Sequence, residues 1–355
     1  MFVRWSNLST DVEGRARLPG YREAAVVRHF DAPEATSTRF YEVRAKSILN
    51  RVPEASRMPF RWTINPYRGC SHACIFCFAR PTHTYLGFDA GRDFEREIVV
   101  KVNAPERLRA ELARPSWKRE HIALGTNTDP YQWVEGRYKL MPGIWEAMIE
   151  ARNPGSVLTK SPLLLRDLEL MRELASRAEF SAALSVPTLD ERAWRATEPH
   201  TPHPRARLEA VAELTRAGIR TGILIAPLMP GINDSPEQVA RILALAAEAG
   251  AAYVSGVALH LRGEVRKLFL DWLAEHRPDL LPRYRELYRR GAYAPAQERR
   301  RLARLVRGTN LDPAQRGRGA FPAPVAPTPP ALAQPQGTLF DASWPVKPST
   351  AGGGR

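Results

Sequence analysis

Between residues 61 and 259 the chain alternates two textures. Short, unalternating apolar runs are separated by longer amphipathic stretches. The runs are RWTI (61–64), IVVKV (98–102), HIALG (121–125), SVLTK (156–160), SAALSV (181–186), TGILIA (221–226) and AYVSGVAL (252–259). Strands buried on both faces read as such runs, and helices of ten or more residues between them make parallel βα units. The amphipathic stretches carry their own start and stop signals. Asn103 with Glu106 three residues on has capping-box spacing. Ser161 stands before Pro162, and Ser235 before Pro236 with Gln238 at the third position. Gly218 and Gly250 close two of the helical stretches. Six or seven βα units predict a complete or partial TIM-type barrel, with reactive residues at the C-terminal ends of its strands. The loops there are the polar ones: NPYRGC, GTNTDPYQ and TKS.

The flanks differ. Residues 1–59 hold no sustained period and predict an N-terminal extension, with one helix or short strands near residues 40–50. Residues 60–262 make the barrel. Residues 263–309 are helical and basic, and the Pro/Ala/Gly-rich stretch 310–355 predicts a disordered tail. No run of 18 apolar residues exists, so no membrane span is expected. The first residues lack the apolar core of a secretory signal, and three cysteines in 355 residues suit a reducing cytoplasm. Basic residues outnumber acidic ones 52 to 38, a formal charge of +14, which fits an anionic partner such as nucleic acid. Of the 52, only 7 are lysine and 45 arginine, a skew that genome base composition also produces. The charge permits such a partner without selecting it.

All three cysteines, Cys70, Cys74 and Cys77, lie in NPYRGCSHACIFCFAR (65–80). An odd number excludes a closed disulfide framework, and zinc would need a fourth ligand, with His72 and His83 the nearest candidates. A [4Fe–4S] cube held by three cysteines leaves one iron open, which accounts for the number three without importing a ligand. The rival class is a non-catalytic binding module stabilised by zinc or by a cluster; a cluster with an open iron is a catalytic feature.

The C-x3-C-x2-C spacing, with aromatic Phe76 just before the third cysteine, resembles the radical S-adenosylmethionine (SAM) superfamily. TINPYRGC, GTNTDPYQ (125–132), LTKSPLLLRD (158–167), EPHTPHPRARL (198–208) and APLMPGIND (226–234) resemble its spore-photoproduct-lyase-like branch over roughly residues 40–275. The resemblance implies an open (β/α)6 barrel and a [4Fe–4S] cluster on Cys70, Cys74 and Cys77. At that cluster SAM is cleaved reductively to a 5′-deoxyadenosyl radical, with an electron donor such as flavodoxin or ferredoxin. It implies Phe76 against the adenine, Lys160 on the SAM carboxylate and Ser185 on the ribose or methionyl group. Asn103 and Thr126 occupy strand ends toward the same mouth, where capping and turn formation compete with cofactor binding. Asp129 and Tyr131 either touch substrate or fix their loop, and Glu198 with Arg207 could form a buried ion pair under the rim.

The branch implies a nucleic-acid substrate, DNA lesion repair in particular; RNA, protein or a small molecule are the alternatives. Spore photoproduct lyase returns a hydrogen atom through a further cysteine. This chain has no fourth cysteine, so a tyrosine, with Tyr67, Tyr85 and Tyr131 as candidates, would have to substitute. In the tail, QGTLF (336–340) resembles the pentapeptide that docks bacterial repair proteins on the DNA sliding clamp, with Gln336, Leu339 and Phe340 as anchors.

Overall fold

The computed structural model describes residues 10–30, 37–56 and 58–306. The tail and its QGTLF motif lie outside the described residues. Twelve strands run in chain order: β1 (Thr10–Ala16), β2 (Ala25–Phe30), β3 (Arg39–Val43), β4 (Leu49–Arg51), β5 (Trp62–Ile64), β6 (Tyr67–Arg68), β7 (Glu97–Lys101), β8 (Ile122–Leu124), β9 (Gly155–Thr159), β10 (Phe180–Ser185), β11 (Arg220–Leu228) and β12 (Tyr253–Ala258).

Seven of them form one sheet in the order β12-β11-β10-β9-β8-β5-β4. Six are parallel, and β4 adds an antiparallel edge on β5. Helices Ala104–Leu112, Leu140–Ala151, Leu168–Arg177, Pro204–Arg216 and Pro236–Glu248 connect the parallel strands. β10, buried at all six positions, shows why the apolar runs do not alternate: residues on both faces are covered. With β4 and β12 as edges, the six parallel strands make the partial (β/α)6 barrel rather than a closed one. Gly125, at the end of β8, has φ +84°, and a Cβ there would meet the Leu158 carbonyl oxygen at 1.8 Å. Only glycine lets the β8 loop cross the neighbouring strand so closely.

One apolar run belongs elsewhere. Residues 98–102 read as a barrel strand, yet β5 pairs directly with β8 (Trp62↔Ile122, Ile64↔Leu124), which leaves no place between them. β7 instead joins a second sheet, β1-β2-β3-β7-β6, parallel to β3 and antiparallel to β6. The N-terminal segment is therefore no mere extension but three strands of a sheet that also carries the strand β6, next to the cysteine loop. Glu97 fixes the junction by accepting from Arg39 (2.7 Å) and from the Tyr41 hydroxyl (2.8 Å). A run buried on both faces looks the same in either sheet, so periodicity could not assign it.

The caps divide similarly. Ser161 accepts from the Leu163 amide and Ser235 from the Gln238 amide (both 3.2 Å). Gln238 does not complete a capping box; its Nε2 donates to the Asn233 carbonyl (2.7 Å). Asn103 caps nothing with its side chain. Both amide ends are spent on Ala45, Oδ1 accepting from its N–H (2.8 Å) and Nδ2 donating to its carbonyl (3.0 Å). Beyond β12 the chain is helical at Glu264–His276, Leu281–Leu287 and Ala296–Leu305. Among the described residues no helix is long and apolar enough to cross a membrane.

Candidate active site

The cysteine loop leaves β6 through Gly69, whose φ is +80°. A Cβ there would stand 2.9 Å from the His83 ring, the Ile98 side chain and the Phe94 carbonyl. Glycine is required on both counts. From Cys70 onward the backbone is held by groups that are not sulfur. Cys70 N–H donates to Phe94 O (2.9 Å) and Ile75 N–H to Thr197 O (3.1 Å). Arg80, 1 % exposed, donates to the carbonyls of Cys74 (3.0 Å), Ala73 (3.0 Å) and Gly91 (2.7 Å) and pairs with Glu95. Gln132, fully buried, accepts from Ser71 N–H (3.0 Å) and donates to Gly69 O (3.3 Å), where the Thr128 hydroxyl also donates (2.7 Å). The motifs 65–80 and 125–132 thus build one socket, and Asn65 joins them again by accepting from Asn127 N–H (3.2 Å).

Cys70 and Cys74 are buried and Cys77 nearly so. Burial, with Glu198 nearby, pushes the Cys74 thiol well above its ordinary value, and burial with Cys70 raises Cys77. Thiols raised in this way become thiolates when a strong positive charge arrives among them, which cluster iron would supply. Zinc would need a fourth ligand beside the three cysteines, and the two nearby histidines have other partners. His83 donates from Nε2 to Glu97 O (2.8 Å) and packs on Phe88 and Phe94. His72 lies 3.3 Å from Asp129. Burial alone would lower its pKa, but Cys70 and Asp129 lift it to about 10, so the imidazolium pairs with the Asp129 carboxylate. Cys70, Cys74 and Cys77 are the residues that would hold a cluster.

Lys160, at the end of β9, meets Ser185 at the end of β10. Its Nζ donates to Ser185 Oγ (2.8 Å), lies 2.7 Å from Glu198 Oε1 and sits 5.6 Å over the Phe76 ring. Glu198 and Arg207, both fully buried, pair at 2.9 Å, and Arg207 also donates to Ser185 O (2.9 Å) and the Thr201 hydroxyl (2.6 Å). Burial alone would raise the Glu198 pKa, but Arg207 and Lys160 hold it below the usual carboxylate range. The ensemble carries two cations against one carboxylate, a net charge that suits the carboxylate of an amino acid. Phe76, Lys160 and Ser185 therefore lie together beside Cys74 and Cys77.

Most of the other candidate residues are engaged in hydrogen bonds of their own. Asn103 stands at the end of β7 in the second sheet, tied to Ala45. Thr126 is half-buried and donates weakly to Asn65 Oδ1 (3.4 Å). Asp129 is spent on loop structure: its carboxylate accepts from Thr159 (2.6 Å), Lys160 N–H (2.8 Å) and Tyr131 N–H (2.9 Å). Tyr131, fully buried, donates to Asp167 (2.9 Å) and accepts from Trp145 (2.7 Å), so no substrate reaches it. Tyr67 is also fully buried, donating to Glu135, and Tyr85 is 78 % exposed on the helical turn Arg80–Leu86. Arg80, Gln132 and Thr128 emerge only here. Their motifs were visible in the sequence, but their work is to bind backbone atoms, and nothing in spacing reveals that.

The superfamily profile for radical SAM proteins matches residues 64–250. An uncharacterised protein of Mycobacterium tuberculosis is 47 % identical over 308 residues, 86 % of this chain and 91 % of that protein. The radical SAM Nα-GlyT isomerase of Pseudomonas phage M6 is 28 % identical over 169 residues, 47 % of this chain and 33 % of that protein. Spore photoproduct lyase complexed with dinucleoside spore photoproduct superposes with a TM-score of 0.53 at 14 % identity, covering 76 % of this chain and 80 % of that one. A variant of the same lyase carries bound AdoMet and superposes at 0.52. The cysteine socket, the lysine–serine–glutamate cluster beside it and the open six-stranded barrel thus have one explanation: the chain belongs to the radical SAM superfamily, with the fold of its spore-photoproduct-lyase-like branch and the superfamily's cofactors, a [4Fe–4S] cluster and SAM.

Proposed function

We propose that the protein abstracts a hydrogen atom from a nucleic-acid substrate, a damaged base of DNA. When bound, the cluster and SAM supply a hydrogen-abstracting 5′-deoxyadenosyl radical. The chain's own part is positional. Cys70, Cys74 and Cys77 hold the cluster, Lys160 and Ser185 orient SAM, and Phe76 supplies an apolar face beneath Lys160.

The observation that carries the substrate class is Phe78. It immediately follows Cys77 and is 50 % exposed, one of few large apolar side chains exposed among the described residues. Its ring lies 5.8 Å from His260, which lies 5.7 Å from Tyr293, and the Arg262 guanidinium sits 5.1 Å over Tyr293. A row of rings with an arginine beside it accepts unstacked bases. Spore photoproduct lyase, crystallised with a dinucleoside, supports the same class. These 355 residues hold no cysteine beyond the three, so hydrogen return in this reading runs through none of them.

Anaerobically reconstituted protein should form 5′-deoxyadenosine faster with ultraviolet-damaged DNA than with undamaged DNA. Equal rates with both, or stimulation by RNA or protein instead, would overturn the proposal. Docking on the DNA sliding clamp through Gln336, Leu339 and Phe340 belongs to the same reading. Equal retention of Leu339→Ala/Phe340→Ala on immobilised clamp would refute it.

A further inference from the structure

A second basic feature lies away from the cysteine socket, at the opposite end of β7. Cys70 is anchored to Phe94, just before β7 begins; past its other end stands a cleft of about 490 Å³. At roughly 3.3 Å per residue the five-residue strand separates the two by about 17 Å. Arg22, Arg44, Lys46 and Arg107 line the cleft, with Glu23, Ala45 and Asn103. Four cations thus face a single carboxylate, and among the described residues none of the four forms an ion pair.

Two further observations point to an anion. Arg107 donates from Nη2 to the Lys46 carbonyl (2.6 Å), which fixes its guanidinium at the wall of the cleft. The helix Ala104–Leu112 also opens at this cleft without a side-chain cap, because Asn103 is committed to Ala45. Pro105 has no N–H and the Arg107 N–H is bonded to Asn103 O (3.0 Å), so the Ala104 and Glu106 amides and the positive dipole end are what the helix offers a phosphate.

We propose that this cleft binds phosphate groups of the nucleic-acid backbone, holding the strand a few nucleotides from the base that reacts. The assignment rests on the nucleic-acid reading above. Arginine forks and helix amides suit phosphate oxygens, and one flanking carboxylate among four cations leaves the cleft strongly positive.

The test is fluorescence anisotropy of a labelled single-stranded oligonucleotide against full-length protein over a range of salt. Arg44 and Lys46 are exposed, and the fold uses only the Lys46 carbonyl, so Arg44→Gln/Lys46→Gln leaves the structure intact. The charge-matched control is Arg172→Gln/Arg177→Gln on the helix Leu168–Arg177, where both arginines already pair with glutamates. Loss of two phosphate contacts should lower affinity at least tenfold and reduce the slope of log K against log salt by about 1.4. The control should match the unmodified chain. An unchanged slope in the cleft variant overturns the cleft assignment while leaving the nucleic-acid reading standing, since the unmodified chain still binds. No oligonucleotide binding by the unmodified chain, with inorganic phosphate alone detected by calorimetry, overturns both.

Discussion

Lys160 offers the sharpest test of the site, because its two roles separate experimentally. In the folded chain its ammonium neutralises buried Glu198 at 2.7 Å and hydrogen-bonds Ser185 at 2.8 Å. Its side chain is 15 % exposed, while that of Glu198 is not exposed at all. Lys160→Met keeps most of the stem and removes the charge. Breaking a buried pair costs about 3–5 kcal/mol, and since Arg207 still faces Glu198 the lower end, about 3 kcal/mol, is expected. If the ammonium also binds the SAM carboxylate, a charge-assisted bond of roughly 1.5–3 kcal/mol disappears, a ten- to hundredfold rise in Kd. Equilibrium dialysis of SAM against reconstituted protein with matched iron content measures the second effect, and urea unfolding the first. Glu198→Gln is the contrasting variant: it loses comparable stability but keeps the lysine charge, so SAM affinity should hold or improve. A SAM Kd within twofold of the unmodified chain in Lys160→Met would reduce Lys160 to a counter-ion and refute the cofactor role.

Two further outcomes follow from buried groups. Lys101 is buried, and burial with Arg68 nearby lowers its pKa to about 7 against the pull of Glu111. The unfolded chain, with a lysine near 10.4, binds more protons between those limits. Stability therefore rises with pH in that window. Lys101→Met should stabilise by about 4 kcal/mol at pH 7, and the advantage should shrink by about 2 kcal/mol by pH 9; a constant advantage in urea melts would contradict this origin. Gln132→Leu strands the Ser71 N–H, at roughly 1–3 kcal/mol. The cluster's visible absorbance should decay faster in air than in the unmodified protein, and an unchanged decay would show that Gln132 does not support the loop.

The chemistry was more legible than the scaffold around it. The number and spacing of the cysteines point to a cluster because ligands are local in the chain, and SAM follows from the family resemblance of the motifs. Ser161 and Ser235 cap as their spacing implies, since a cap involves only three residues. The second sheet was hidden: β7 joins β3 across 58 residues, and its burial pattern is that of a barrel strand. For Asp129 and Tyr131 the sequence leaves two roles open, touching substrate or fixing the loop, because a polar residue after a strand can face the mouth or turn inward. Here both bond to backbone and core groups. Arg80 and Gln132 carried no pattern because backbone carbonyls and amides leave no trace in side-chain spacing.

Arg80, Gln132, Thr128 and the backbone bonds to Phe94 and Thr197 shape the cysteine loop without involving any sulfur. In small zinc domains the metal is the folding nucleus, and losing it dissolves the site. Here the order is reversed if that sulfur-free bonding outlasts the iron: cluster loss in air should then leave the far-ultraviolet circular dichroism unchanged and allow reloading without refolding. A spectrum that collapses with the iron would show the opposite.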